Sequence, residues 1–237
     1  MQKVNPFFLS LYSQCPIKAQ FAQQYQKNIP IDLKIIRDTI QSTFMYQSKN
    51  DKFATWRLVT TWTQRNMVKY MADVKDKKNI KGSITILEKL FNWYNNIYLE
   101  QPEVDTLANV PIILNLGDKV VYRDSIDIMT NGTELKLFNF EQVDNASDYK
   151  DQQMFNELET LIQIWGFWKA TEFPPNKLVK IINTPKTIQY RYKLIDQKFL
   201  HHTEKIVGYL LTGVINHVYY QNYSSQCDKC EFNFICT

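Results

Sequence analysis

Hydrophobic spacing divides the chain into a helical first part and a mixed remainder. In "FFLSLYSQCPIKAQFAQQYQK", and more strongly in "SITILEKLFNWYNNIYLE", apolar residues recur every three or four positions, so residues about 7–100 read as helices. Between these segments "ADVKDKKNIKG" is charged and reads as a solvated connector. The texture changes near residue 109, where "VPIILNL", "KVVYRDSIDIMT" and "ELKLFNFEQ" are strand-like runs separated by "GDK" and "NG". Asn131–Gly132 between two such runs is a strong hairpin signal, because both turn residues need positive φ. "SDYKDQQMFNELETLIQIWGFWKA" then reads as a long helix capped by Ser147 or Asp148, and "FPPNK" breaks it. "KLVKIINT" and "IQYRYKLI" are two more strands, and "KFLHHTEKIVGYLLTGVINHVYY" is a second long helix.

The order of helices, three antiparallel strands, helix, two strands and helix predicts an α/β fold, a mixed sheet flanked by helices. No repeat and no Gly/Ser- or Pro-rich linker divides the 237 residues. The expectation is a single domain over 1–237: a helical N-terminal region to about 105, a sheet core over about 106–197, and a C-terminal helix with a cysteine tail over about 198–237.

Composition narrows the class only a little. With 44% hydrophobic and 22% charged residues the chain is globular rather than disordered. A net charge of +4 permits a nucleic-acid partner without arguing for one. No apolar run approaches the ~20 residues needed to cross a bilayer. The start "MQKVNPFFLSLYSQCP" lacks the apolar core and small-residue cleavage site of a secretion signal. The expected setting is cytoplasmic (host cytoplasm or virion, if viral), away from membranes and in a reducing compartment where disulfides are disfavoured. The richness in Asn, Lys, Gln and Ile suggests an AT-rich genome, such as that of a low-GC bacterium or a phage.

Four cysteines carry the sharpest pattern. Cys227, Cys230 and Cys236 form C-x2-C-x5-C, and Cys15 is the remaining thiol. A tight C-x2-C pair suits one inorganic centre. Four-cysteine zinc sites usually come as two such knuckles, whereas three clustered ligands with one distant ligand is more typical of a four-iron cluster. A 4Fe-4S cluster is the expectation, with zinc and unliganded thiols as alternatives. Such a centre would cross-link the two ends of the chain, an effect on the order of 5 kcal/mol by analogy with a disulfide closing a long loop.

With these cysteines and this strand order, the sequence resembles the RecB-type PD-(D/E)xK nucleases that carry an iron–sulfur cluster, a group that includes CRISPR-associated and phage exonucleases. "FFLSLYSQCP" is similar to the family's opening signature through Leu11, Tyr12, Cys15 and Pro16. "YRDSIDIM" resembles the metal-binding strand and places Asp127 at the family aspartate, and "CDKCEFNFIC" is similar to the terminal cysteine motif. The resemblance implies a site in which carboxylates hold Mg or Mn against the scissile phosphate, while a lysine positions the attacking water.

The catalytic positions themselves depart from the family. Ile86 stands where "GSITI" should supply histidine. In "LKLFNFEQ", Asn139 replaces the acid and Glu141 replaces the lysine. Two other pairs imitate the missing motif. Asp148 with Lys150 reads better as a helix start, and Glu134 with Lys136 lies too close after Asp127 and reads as a solvated strand face. Asp127 or Asp124 together with Glu141 remains a candidate pair for Mg or Mn. The family's Q-x-x-x-Y element finds Gln163 with Phe167, or Trp165 in a second register, against a competing reading as an aromatic core stripe. The resulting expectation is a catalytically inactive exonuclease-like protein that binds DNA or serves an architectural role among other protein subunits of a larger assembly. The alternatives are an active metal-dependent exonuclease with a non-standard site, and a metal-stapled structural protein with no nucleic-acid role.

Overall fold

The structure, a computed structural model, describes residues 2–22, 29–71, 77–100, 105–131, 135–142 and 157–220, together with Asn222, Cys227 and Cys230. Helix α1 (Pro6–Gln14) opens with Asn5, whose side chain accepts the Phe8 N–H at 2.7 Å, and with Pro6 in the first turn, where its missing N–H costs nothing. The sequence pattern predicted one helix onward from here, but Cys15 is extended (φ −156°, ψ 106°) and Pro16 starts a separate α2 (Pro16–Phe21). The proline ring excludes the preceding residue from helical geometry, which accounts for the break.

Three longer helices follow: α3 (Ile31–Asn50), α4 (Trp56–Tyr70) and α5 (Lys77–Asn96). The connector expected over 72–82 is helical from Lys77 onward. Lysine is a good helix former, and Gly82 in the interior costs only about 1 kcal/mol, which burial of Ile86, Leu90 and Trp93 on one stripe overrides. Among the described residues, no helix is long and apolar enough to cross a membrane.

The sheet has six strands: β1 (Gln2–Val4), β2 (Thr106–Leu116), β3 (Val120–Asn131), β4 (Leu135–Gln142), β5 (Lys177–Asn183) and β6 (Ile188–Leu194). β1 is too short to carry a sequence signal, and β2 begins four residues before its predicted start. The expected mixed sheet is present: β2–β3, β3–β4 and β5–β6 are antiparallel, whereas β1–β3 and β4–β5 are parallel. Helix α6 (Leu158–Thr171) lies between β4 and β5 in sequence, and α7 (Gln197–Ile215) follows β6. Glu157, not Ser147 or Asp148, occupies the cap position of α6; those two residues lie outside the described residues. Helices α1, α2, α6 and α7 build one apolar core against the sheet, and α3, α4 and α5 build the other.

Strand β3 is where the architecture becomes irregular. β2 covers one of its edges along nearly its whole length. The other edge is shared, with β1 pairing at 120–122 and β4 at 128–131, so residues 123–127 have no strand partner there. β3 also changes face within this gap. Ile126 packs into the α1/α6 core while Ile128 packs into the α3/α5 core, although residues two apart in a regular strand share a face. The pairs Val110–Ile126 and Ala108–Ile128 place Asn109 opposite Asp127, and Asn109 takes a left-handed φ of 53°. Asparagine tolerates that conformation better than most residues, so the rotation of both strands is local and specified.

Helix α6 is pressed against this irregular strand by a glycine. A Cβ on Gly166 would lie 2.5 Å from Tyr122 Oη, closer than non-bonded atoms can approach. Gly166→Ala gains roughly 1 kcal/mol of helix propensity but must push α6 off β3, an overpacking cost of about 1–3 kcal/mol. The expected outcome is a net loss of up to about 2 kcal/mol in urea denaturation; increased stability would show that the contact is loose.

Candidate functional site

The β3–β4 gap gathers polar groups on both faces of the sheet. On the α6 face, the Asp124 carboxylate accepts hydrogen bonds from Tyr122 Oη at 3.2 Å, from the Ser125 N–H at 2.8 Å, and from the Gln163 side chain. Gln163 Oε1 in turn accepts from Asn139 Nδ2 at 2.8 Å. Two strands and one helix are thus linked by an unbroken chain of hydrogen bonds from Asn139 to Asp124. Burial pushes the Asp124 carboxyl up to about 6; its hydrogen bonds oppose the shift and the charge of Glu159 adds to it. These groups line a cavity of ≈ 490 Å³, whose far wall is Asn5, Pro6 and Phe7 at the start of α1.

Lys180 extends the same face onto β5. It is the Cα partner of Asn139 in the parallel β4–β5 register and is 1% exposed. Its Nζ donates to Glu141 Oε2 at 3.0 Å and to Glu157 Oε2 at 2.9 Å. A buried ammonium is tolerable only with such partners, and removing one side of a buried pair typically costs about 3–5 kcal/mol. Lys180 therefore has no reach toward a ligand while both glutamates hold it.

Asp127 belongs to the other side of the gap. Its carboxylate accepts the Phe140 N–H, a β4 group left without a β3 partner where the strands part. Gln41 of α3 donates to the Asp127 carbonyl at 3.0 Å and to its Oδ1 at 3.4 Å. Burial pushes the Asp127 carboxyl up to about 6, with Arg37 and the Phe140 N–H pulling it down and Asp124 and Asp38 pushing it up. Asp38 is itself engaged by Tyr70 Oη at 2.5 Å and Lys69 Nζ at 3.2 Å.

The structure distributes the sequence candidates unevenly. Asp124, Asn139 and Gln163 come together, and Glu141 lies on the same face, tied to Lys180. Asp127 is held by α3 and the β4 backbone instead of facing Glu141 across that cavity. Ile86 is 2% exposed and packs into the α3/α5 core. Trp165 and Phe167 are core aromatics, Trp165 meeting Tyr122 edge-on, so the stripe reading fits them while Gln163 faces the site. Lys136 pairs with Thr130 beyond the gap. Glu134, Asp148, Lys150 and Cys236 lie outside the described residues.

Cys15, Cys227 and Cys230 are half-buried. Among the described residues no group of three His, Cys, Asp or Glu side chains is arranged to hold a metal ion. Sequence reasoning missed Lys180, Glu157, Glu159 and Gln41. Only Lys180 carried a usable signal, as a lysine inside the otherwise apolar strand "KLVKIIN", where a buried charge implies partners.

The raised carboxyls define a pH dependence. The native state holds the Asp127 proton up to about 6, against an ordinary value of 3.8. Between those values the native state binds more protons than the unfolded state, so this group's contribution to stability falls as pH rises, and the loss is complete above about pH 6. Asp127→Asn keeps an acceptor for Phe140 and removes the titration. Its melting temperature should exceed that of the native sequence by about 6 °C or more at pH 7.5 and converge with it below about pH 4. A constant difference across that range would contradict the buried-carboxyl assignment.

No protein-family model and no curated protein matches the sequence. Among solved structures, a candidate exonuclease from Eubacterium rectale aligns over 98% of this chain and 88% of its own, at TM-score 0.60 and 12% identity. A second, SSO0001, covers 97% of this chain and 94% of its own at TM-score 0.37 and 14% identity, too loose an overlap to carry an argument. The six-stranded mixed sheet flanked by helices is thus a fold that this chain shares with the Eubacterium rectale structure.

Proposed function

We propose that this chain is a nuclease-fold protein that holds DNA without cutting it, as a binding or architectural component of a larger assembly. One observation carries the reading: the two β4 groups at the family's catalytic positions are spent on internal partners. Asn139 is a neutral amide bonded to Gln163, and Glu141 places a negative charge where the family's lysine would face phosphate. Lys180, beside that position on β5, is buried and ion-paired with two glutamates. Cation-assisted hydrolysis needs convergent hard ligands, and among the described residues no group of three His, Cys, Asp or Glu side chains is arranged to hold a metal ion, although Asp124, Glu159 and Arg123 all line the cavity.

The chain ends support a second element of the proposal, a cluster held by Cys15, Cys227, Cys230 and Cys236 that acts as a staple. The tail runs beside α1: Tyr12 Oη donates to the Val218 carbonyl at 2.5 Å, Gln2 bonds Tyr219, and Asn222 Nδ2 donates to the Gln14 carbonyl at 2.8 Å, next to Cys15. Cys230 packs on the core that α1 and α2 share. When bound, the cluster would supply a covalent link between distant segments, and zinc is the alternative occupant.

Purified anaerobically, the protein should carry about four iron and four sulfide per chain, and Cys15→Ala should lose them. Absence of iron and zinc alike would remove the staple. On the same sample, linear DNA should stay intact in Mg or Mn, and binding should weaken at least about ten-fold between 50 and 200 mM salt. Cation-dependent degradation that disappears in Asp124→Asn would overturn the inactive reading. Failure to bind DNA at 50 mM salt would leave the structural, nucleic-acid-free alternative.

A further inference from the structure

The net charge of the chain is concentrated in one helical hairpin. Residues 31–71, which form α3, α4 and the turn between them, hold seven Lys and Arg against three Asp, a net of +4. That equals the net charge of all 237 residues, so the rest of the chain balances to zero. Two of the three carboxylates are committed locally. Asp32 accepts from Asn183 Nδ2 at 3.2 Å, and Asp38 accepts from Tyr70 and Lys69. Lys49 and Lys52 beside the turn, and Arg57 and Arg65 on α4, are exposed and have no ion-pair partner among the described residues.

Helix α4 contains no acidic residue. It buries Val59, Thr63 and Met67 on one side, and helical spacing turns Arg57, Gln64, Arg65 and Val68 to the other, where all four are exposed. Arg57 and Arg65 stand about 12 Å apart along the helix axis, enough to meet separate phosphates. The aromatic residues of α4 are already engaged: Trp62 packs on Tyr46, Trp56 on Phe91 and Tyr94, and Lys69 covers the Tyr70 ring. They leave unpaired bases no stacking platform on this helix.

We propose that the outward side of α4, with the turn before it, is a docking surface for the phosphate backbone of double-stranded DNA, held by Arg57 and Arg65 and by Lys49 and Lys52. The guanidinium fork matches phosphate oxygens, and each such contact releases counterions condensed on the duplex. A duplex offers a denser row of phosphates than a single strand and needs no stacking ring. Gln64, between the two arginines, adds an amide that bonds phosphate or base edges equally well. The exposed side of α4 is polar apart from Val68, which argues against an anionic lipid surface, where an apolar face must insert. The surface lies on the α3/α5 side of the sheet, across from the Asp124 cavity. It rests on the DNA-holding reading above and adds a location and a strandedness to it.

Binding of a fluorescent 20-base-pair duplex, and of one of its strands alone, to the full chain between 50 and 200 mM salt tests this. The duplex should bind more tightly. Arg57→Ala combined with Arg65→Ala should weaken it at least about ten-fold at 50 mM salt and lower the logarithmic salt slope by about 1.8, whereas lysine at both positions should keep the slope. Lys198→Ala with Lys205→Ala removes the same charge from the exposed side of α7 and should change affinity less than about two-fold. If duplex binding is indifferent to the α4 pair, or falls equally with the α7 pair, the location is wrong and only this proposal fails. Tighter binding of the single strand overturns the duplex assignment. Polyglutamate that binds as tightly as the duplex, with the same loss in the α4 pair, assigns the face to an acidic protein instead. If neither DNA probe binds at 50 mM salt, the DNA-holding reading fails and this proposal with it. Melting temperatures of the variants within about 2 °C of the wild type keep an affinity loss from being misread as unfolding.

Discussion

The Asp127 carboxylate accepts the Phe140 N–H at the point where β3 and β4 separate, and the rest of the architecture depends on that junction. Without an acceptor, the parting strands would leave a buried amide unpaired, at a cost of about 1–3 kcal/mol. With it, β3 can give one edge to β1 and β4 in turn and leave residues 123–127 open between them. Asn109, opposite Asp127 and left-handed, lets both strands rotate at the same place. The gap is thus built into the sheet from both sides rather than being a frayed edge.

Everything chemically notable on the α6 face follows from that opening. Asp124 points into it, Gly166 lets α6 approach closely enough for Gln163 to reach Asp124, and Asn139 completes the chain of bonds. Glu141 and Lys180 then close the β4–β5 side as a buried pair reinforced by Glu157. Lys180 is thus buried between glutamates, and the Asn139 and Gln163 amides bond one another beside a cavity that Arg123, Asp124 and Glu159 also line.

The two faces of the sheet have separate roles in this picture. The α1/α6 face holds the Asp124 cavity and the contacts of Gln2, Tyr12 and Gln14 with Tyr219, Val218 and Asn222. On the α3/α5 face, aromatic packing around Phe44, Trp93 and Tyr98 covers the middle of the sheet, while Ile113 on β2 and Tyr192 on β6 lie exposed beyond it.

Periodicity alone determined the strand and helix order, because alternation along β2–β6 and the stripes of α5 and α7 are local properties of the chain. The resemblance to a nuclease family, rather than periodicity, marked Asn139 and Glu141 as departures and offered Gln163, which the structure places beside Asn139. Periodicity did not reveal β1, which is three residues long and becomes a strand only beside β3, or the break at Cys15, where proline overrides an apolar spacing that suits a helix. Nor could it choose between Asp124 and Asp127, three residues apart in one strand. Regular alternation would already set them on opposite faces, but which face meets α6 depends on a rotation at Asn109 and on a helix pressed close at Gly166. The pairing of Glu141 with Lys180 was equally hidden, since it joins residues 39 apart in sequence that only the β4–β5 register makes neighbours. Sequence spacing dictates what each element is, whereas the partners of a buried charge are dictated by which elements meet.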